Sequence, residues 1–130
     1  MSGQSKLMSD SMKAAADLSS YQYYFVKISA ARTVNVCSAV TDVPYGVLQN
    51  KPENAGEAAE VMIAGITNLK IGASVTAGDR LGPEVTTGHA IPVTTDDYPY
   101  GAIARESGDD GDIISAMLVP GSSYSGSVDD

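Results

Sequence analysis

A seven-residue stretch of this chain is echoed 55 positions further on, with four of the seven residues identical. Asp42-Val43-Pro44-Tyr45-Gly46-Val47-Leu48 returns as Asp97-Tyr98-Pro99-Tyr100-Gly101-Ala102-Ile103. The echo keeps its offset: Gly56-Glu57 is answered by Gly111-Asp112, and Met62-Ile63 by Met117-Leu118. Proline cannot donate to a strand ladder and glycine permits close backbone approach, so a Pro-Tyr-Gly entry suits the start of a strand. A glycine beside an acid then suits a turn. The repeat predicts an all-β body, a small barrel of two similar halves, and not a catalytic cleft. Pro44, Tyr45, Gly46, Gly56 and their counterparts Pro99, Tyr100, Gly101, Gly111 are its structural residues.

The rest of the chain is punctuated in the same way. Residues 21–28 are dense in aromatic and β-branched side chains, which predicts a strand. Val34, Val36, Ser38 and Val40 alternate with Asn35, Cys37 and Ala39, a half-buried strand. Further strands are expected at 46–48, at 59–64 ending on Gly65, at 66–71, 80–82, 90–93 and 101–104, and at 112–119 before a stop at Pro120-Gly121. Thr76-Ala77-Gly78-Asp79 and Thr86-Thr87-Gly88 are turns. Short strands with turns this closely spaced mark a sandwich or small barrel.

Residues 1–20 are small and polar. Ser9 or Ser11 would cap a two-turn helix over residues 12–18, too short to hold alone in water. The segment is expected to be an arm that orders only against another surface. Residues 21–121 form the β domain, and the Ser/Gly-rich, acidic residues 122–130 a flexible tail. A polar arm leading into an aromatic strand suits strand addition to a partner. The candidate contact residues are Leu7, Met8, Met12, Leu18, Tyr21, Tyr23, Tyr24 and Phe25.

Composition narrows the function. Eight Lys and Arg against 16 Asp and Glu give a net charge of −8, and the bases are scattered singly. Such a surface repels phosphates, so direct nucleic-acid binding is not expected. No apolar run approaches the roughly 20 residues that cross a bilayer, and no signal peptide is evident, which predicts a soluble protein made in the cytoplasm. Cys37 is the only cysteine, so no intramolecular disulfide can form. Its place in an alternating strand predicts a buried, inert thiol.

Chemistry finds few carriers. His89 is the only histidine, and on a Gly-His-Ala turn it reads as a solvated side chain. One His and one Cys cannot supply the three or four ligands of a zinc site. Asp96-Asp97 and Asp109-Asp110-Gly111-Asp112 do not follow calcium-loop spacing and read as solvated turns, with Glu57 and Asp112 as turn formers. Tyr45 and Tyr100 are expected to pack their rings at the barrel rim and to find hydroxyl partners. No enzyme activity and no cofactor are expected.

The order of elements carries a resemblance. A strand enters Gly46-Val47-Leu48, and a polar loop reaches Gly56-Glu57. Then come Val61-Met62-Ile63-Ala64-Gly65, an Ala77-Gly78-Asp79 turn, Tyr100-Gly101-Ala102-Ile103-Ala104, a Gly111-Asp112 turn and a terminal Ile114-Ser115-Ala116-Met117-Leu118-Val119-Pro120-Gly121. This resembles the small capsid decoration (cement) proteins of tailed double-stranded DNA phages, over residues 34–121. The family's glycine before the first inward strand is missing near Arg32-Thr33. The resemblance implies a compact, tulip-like β-barrel and a homotrimer on the outer face of a virion capsid. There it would bridge neighbouring capsomers of the major capsid protein, with the N-terminal arm adding a strand to the capsid's sheets. Two other readings stand beside it. Ala77-Gly78-Asp79 is similar to the turns of lipoyl-type carrier modules, although Lys70 falls in a strand and not at a hairpin tip. Tyr98, Tyr100 and Tyr124 could serve a glycan-binding module on a particle surface.

Overall fold

The computed structural model describes residues 5–95 and 98–123. Nine strands run along it: β1 (Ser5–Ala14), β2 (Phe25–Ala30), β3 (Thr33–Val36), β4 (Gly46–Leu48), β5 (Ala58–Lys70), β6 (Arg80–Pro83), β7 (Ala90–Pro92), β8 (Pro99–Ala104) and β9 (Ile113–Ser123). No helix occurs among the described residues. The sheet order is β1-β3-β2-β4-β5-β9-β8-β6-β7, and β1 also pairs with β5. That extra pairing closes β1, β3, β2, β4 and β5 into a five-stranded ring. The other four strands extend from β5 as an open flap.

Two cores follow from this layout. Met12, Ala14, Leu18, Val26, Val34, Leu48, Ala59 and Val61 fill the ring. Phe25, Val47, Met62, Leu69, Leu81, Ala102, Ile114, Ala116 and Leu118 are among the residues that fill the space between ring and flap. β5 serves both cores. Before Gly65 its second-core residue is the even-numbered Met62; after it, the odd-numbered Leu69. Side chains alternate with period two, so the parity changes across Gly65, whose φ of 117° marks the irregularity. The sequence reads an end of strand there, but one bulged strand runs on.

The expected helix over residues 12–18 is a correction. Met12 and Ala14 are buried while Ser11 and Lys13 are exposed, the period of a strand. Pairing with residues 58–66 of β5 overrides the local alanine content. Residues 5–20 do order against something, but it is their own barrel. Four further boundaries moved. The aromatic strand starts at Phe25 and not at Tyr21, because Tyr23 takes φ 71°, donating its N–H to the Leu48 carbonyl and accepting from the Lys70 N–H. β3 ends at Val36, because the Asp42 carboxylate gathers the N–H groups of Ser38 and Ala39 into a turn. β9 passes through Pro120-Gly121 to Ser123. Between the pairs Ala102↔Leu118 and Tyr100↔Ser122 it carries two more residues than β8, a bulge that accommodates the proline. The tail expected from residue 122 therefore begins within β9, and residues 124–130 lie outside the described residues. Arg32, at φ 55°, holds the left-handed position where a glycine was missed.

The repeat becomes two antiparallel pairs, β4–β5 in the ring and β8–β9 in the flap. Its glycines mark tight packing. A side chain on Gly46 would run into the Met62 carbonyl, and one on Gly101 would press on Phe25 and Pro44 at 3.0–3.1 Å. Three turns share one design. In residues 54–57, 76–79 and 109–112 the third residue is a glycine at φ 90–96°, as in a type II turn. The acid that follows returns its carboxylate to the first N–H: Glu57 to Asn54 at 3.1 Å, Asp79 to Thr76 at 2.9 Å, Asp112 to Asp109 at 2.9 Å.

Candidate functional site

At the end of the ring where β1 begins and β4 is entered, the barrel does not close over itself. Met8, Lys27, Ile28, Thr41, Asp42, Val43, Pro44, Tyr45, Ile63 and Ala64 line a groove of about 730 Å³. Ile63 and Tyr45 pack against the ring core, so the groove is the outward continuation of that interior. β3 leaves this mouth uncovered: it meets β1 only at Lys13 and Ala14, while β1 runs back to Ser5.

Three large apolar side chains stand in water here: Met8 at 55% exposure, Ile28 at 53% and Val43 at 62%. Full burial of such a side chain is worth roughly 1.5–3 kcal/mol. Three side by side are a surface that gains by being covered. The charged groups and the phenol of the groove are already engaged. Lys27 Nζ lies 2.9 Å from the Asp42 carboxylate. The Tyr45 hydroxyl donates to Asp10 at 2.6 Å across the inner side of β5. That hydrogen bond, with burial, pushes the Tyr45 phenol above its ordinary value. For Asp42, burial pulls the carboxyl upward, but hydrogen bonds from Ser38, Lys27 and Ala39 outweigh it and hold it below the usual range.

The sequence-read contact residues scatter. Met8 lies in the groove. Leu7 belongs to β1, and its side chain lies outside the description. Met12 and Leu18 are buried in the ring and Phe25 in the second core, so as folded here they present no surface to a partner. Tyr21 half-packs on the ring core and Tyr23 on the second core. Tyr24 meets Tyr21 edge-on at 5.2 Å. Of the repeat residues, Pro44 and Tyr45 line the groove. Tyr100, the counterpart of Tyr45, instead lies under the Arg80 guanidinium at 5.7 Å. Lys27, Ile28, Val43, Ile63 and Ala64 were not singled out from the sequence. The signal available was Val43, an apolar residue set between Asp42 and Pro44 in a turn.

Two chemical candidates resolve differently. His89 is not the solvated side chain expected. Its Nε2 is 2.8 Å from the Tyr24 hydroxyl and its Nδ1 3.4 Å from Glu84, which also accepts from Thr87 at 2.6 Å. The cluster ties the β6–β7 hairpin to the entry of β2. Burial, then Tyr21, pushes the Tyr24 phenol up, which favours the neutral hydroxyl over a phenolate nucleophile. Cys37 is buried, and burial first, then Asp42, pushes its thiol up to about 12. A thiol so shifted is inert. Among the described residues no three His, Cys, Asp or Glu side chains gather as a metal-binding group. Asp96-Asp97 and Tyr124 lie outside the described residues.

No family model matches the sequence, and no curated protein matches it. The fold is similar to that of a solved structure, the N base of head fiber gp8.5 of bacteriophage phi29, with a TM-score of 0.65. The match covers 86% of this chain and 93% of that one, at 17% identity, and the likeness is one of fold.

Proposed function

We propose that the chain is a structural protein of a phage head. One observation supports this reading: over 86% of this chain and 93% of that one, the fold is similar to that of a phage head fiber base. The uncovered apolar mouth supports it, since a protein whose work is attachment needs surface more than a reaction centre. In the finer form of the proposal, the protein sits on the outer surface of the capsid as a trimer. It bridges neighbouring capsomers of the major capsid protein, performs no catalysis and takes no cofactor.

The open edge of β1 offers a means of attachment. Lys13 and Ala15 direct their N–H groups to Arg32 and Val34 at 2.8 and 2.9 Å, while Ala14 bonds to Glu57 at 2.9 Å. By the two-residue period Ser9 and Ser11 aim toward the same side as Lys13, past the start of β3. There a capsid segment could add a strand. The test is to mix purified protein with expanded heads and with unexpanded precursor shells of the phage carrying the gene, and to follow co-sedimentation. Binding to expanded heads alone is expected, because a bridging site forms only between matured capsomers. Equal binding to both would remove the bridging role, and binding to neither would remove the head assignment.

A further inference from the structure

The large apolar side chains that stand exposed are Met8, Ile28, Val43, Val85, Ile113 and Met117. Ile113 and Met117 lie on the outer face of the flap, opposite in parity to the buried Ile114, Ala116 and Leu118, and nothing there names an occupant. Met8, Ile28 and Val43 belong to the barrel mouth, where two further observations converge. The first is an unused edge. β3 pairs with β1 at Lys13 and Ala14 only, so beside Ser9 and Ser11 that edge of β1 has no strand partner among the described residues. On the same stretch Ser9 Oγ is buried and has no hydrogen-bond partner among the described residues, a costly state for a polar atom. The second is a pair of bases. Lys13 and Arg32 line one cleft of about 390 Å³ with Ser11, and neither forms an ion pair with a described residue. The occupant of this edge is therefore extended, apolar at alternate positions, and acidic where it meets Lys13 and Arg32. One segment of the chain has that pattern. Tyr124, Gly126 and Val128 alternate with Ser125, Ser127 and Asp129, and Asp130 adds a second acid.

We infer that residues 124–130 add to the unused edge of β1 as a strand parallel to it, in line with β3, and so cover the barrel mouth of their own chain. Reach allows it. A side chain on Gly101 would press on Pro44, which lines the mouth, and Ser123 lies opposite Pro99, two residues from Gly101. The described chain thus leaves the flap at the rim of the mouth, and seven extended residues span about 24 Å. One register satisfies every group. Tyr124 and Asp129 have the same separation as Met8 and Lys13. With Tyr124 beside Met8, Val128 falls beside Met12 on the inward side, Ser125 beside the unmatched Ser9, and Asp129 beside Lys13, with Asp130 next to Arg32. Covering the apolar side chains supplies the attraction. Exposed ion pairs add little to it and fix the register instead. The inference rests on the proposed attachment in one respect: the edge offered to a capsid segment is the edge the tail holds in the free protein, so a head must displace it.

The test uses the full chain. Tyr124→Ser with Val128→Ser removes the apolar face of the tail and touches no described pairing or core, so the variant should keep the circular dichroism of the wild type. Amide hydrogen exchange at Ser9 and Ser11 is read by nuclear magnetic resonance. Exchange in the wild type is expected to be slow and unchanged by dilution, and at least tenfold faster in the variant. A Ser11→Cys, Ser127→Cys chain should close a disulfide within one chain under mild oxidation, with the buried Cys37 silent. Equal exchange in wild type and variant overturns the tail contact, whether both are fast or both are slow because another segment holds the edge. Protection lost on dilution, or a disulfide formed only between chains, assigns the edge to the tail of another copy and overturns the contact within one chain. The variant should also bind expanded heads more tightly than the wild type. Equal binding overturns the shared edge alone. Exchange that quickens in the variant while neither chain binds heads removes the head assignment and leaves the tail contact standing.

Discussion

The same sequence unit occupies two surroundings, and the difference shows what a repeat does and does not determine. In the ring, β4 and β5 pair as Val47↔Met62; in the flap, β8 and β9 pair as Ala102↔Leu118. A strict repeat would set Ala102 against Met117, so the second pairing is slipped by one residue. A one-residue slip exchanges the faces of a strand. Met62 is fully buried, whereas its sequence counterpart Met117 stands 43% exposed. β5 is covered on both sides at Met62, by the ring core and by the flap. β9 has only one core to face.

The largest effect should come from removing the element that makes the ring a ring. Deleting residues 1–14 removes the whole of β1, with Met12 and Ala14 from the interior and the pairing along residues 58–66 of β5. Loss of cooperative thermal unfolding and of the near-ultraviolet tyrosine signal is expected. A truncated chain that still melts sharply would mean that the ring stands without its closing strand. Next comes Phe25→Ala. Phe25 is fully buried where the two repeat copies meet, against Gly101 of the flap copy. A loss of about 3–5 kcal/mol in denaturant unfolding is expected from the deleted ring and its cavity.

The turns, the all-strand class and the repeat were legible because they are local. Gly56, Gly78 and Gly111, each followed by an acid, specify their own conformation. The fate of residues 5–14 was not legible, because Lys13-Ala14-Ala15-Ala16 favours a helix locally, and β1 runs to Ala14 as a strand only through its pairing with β5, some 50 residues away. The position of Gly65 was visible but its meaning was not: a glycine in a strand pattern ends it or bulges it, and packing on two cores decides. The candidate surfaces were the least legible. The flap face did leave a trace in Ile113-Ile114-Ser115-Ala116-Met117-Leu118, where apolar residues occupy both parities and neither face can be polar.

A smaller effect separates the ring's mouth from the flap by pH. Asp42, held below the usual carboxylate range, anchors the turn beside the groove through Lys27 and the N–H groups of Ser38 and Ala39. A carboxyl with a lowered folded pKa stabilises fully above its unfolded value of about 4, and that contribution is lost as pH falls through the folded pKa. Asp42→Asn should therefore cost about 1 kcal/mol at neutral pH, modest because the group is partly open to solvent. The gap to the wild type should close once both are measured well below pH 4. A difference that persists in acid would assign the loss to turn geometry and not to charge.

Smallest of all should be Met117→Ala in the isolated protomer. Met62→Ala deletes a fully buried side chain of the second core and should cost about 2–5 kcal/mol. Met117→Ala deletes its sequence counterpart from an exposed sheet face, and should lie within about 0.5 kcal/mol of the wild type. Both are read by denaturant unfolding of the full chain, with the oligomeric state followed by light scattering. A tenfold or greater asymmetry in the unfolding equilibrium constants would show that surroundings, and not position in the repeat, set the worth of each methionine. Comparable losses would mean that the flap's outer face is packed within the protomer, and that the slip at β9 does not expose what the registers place there.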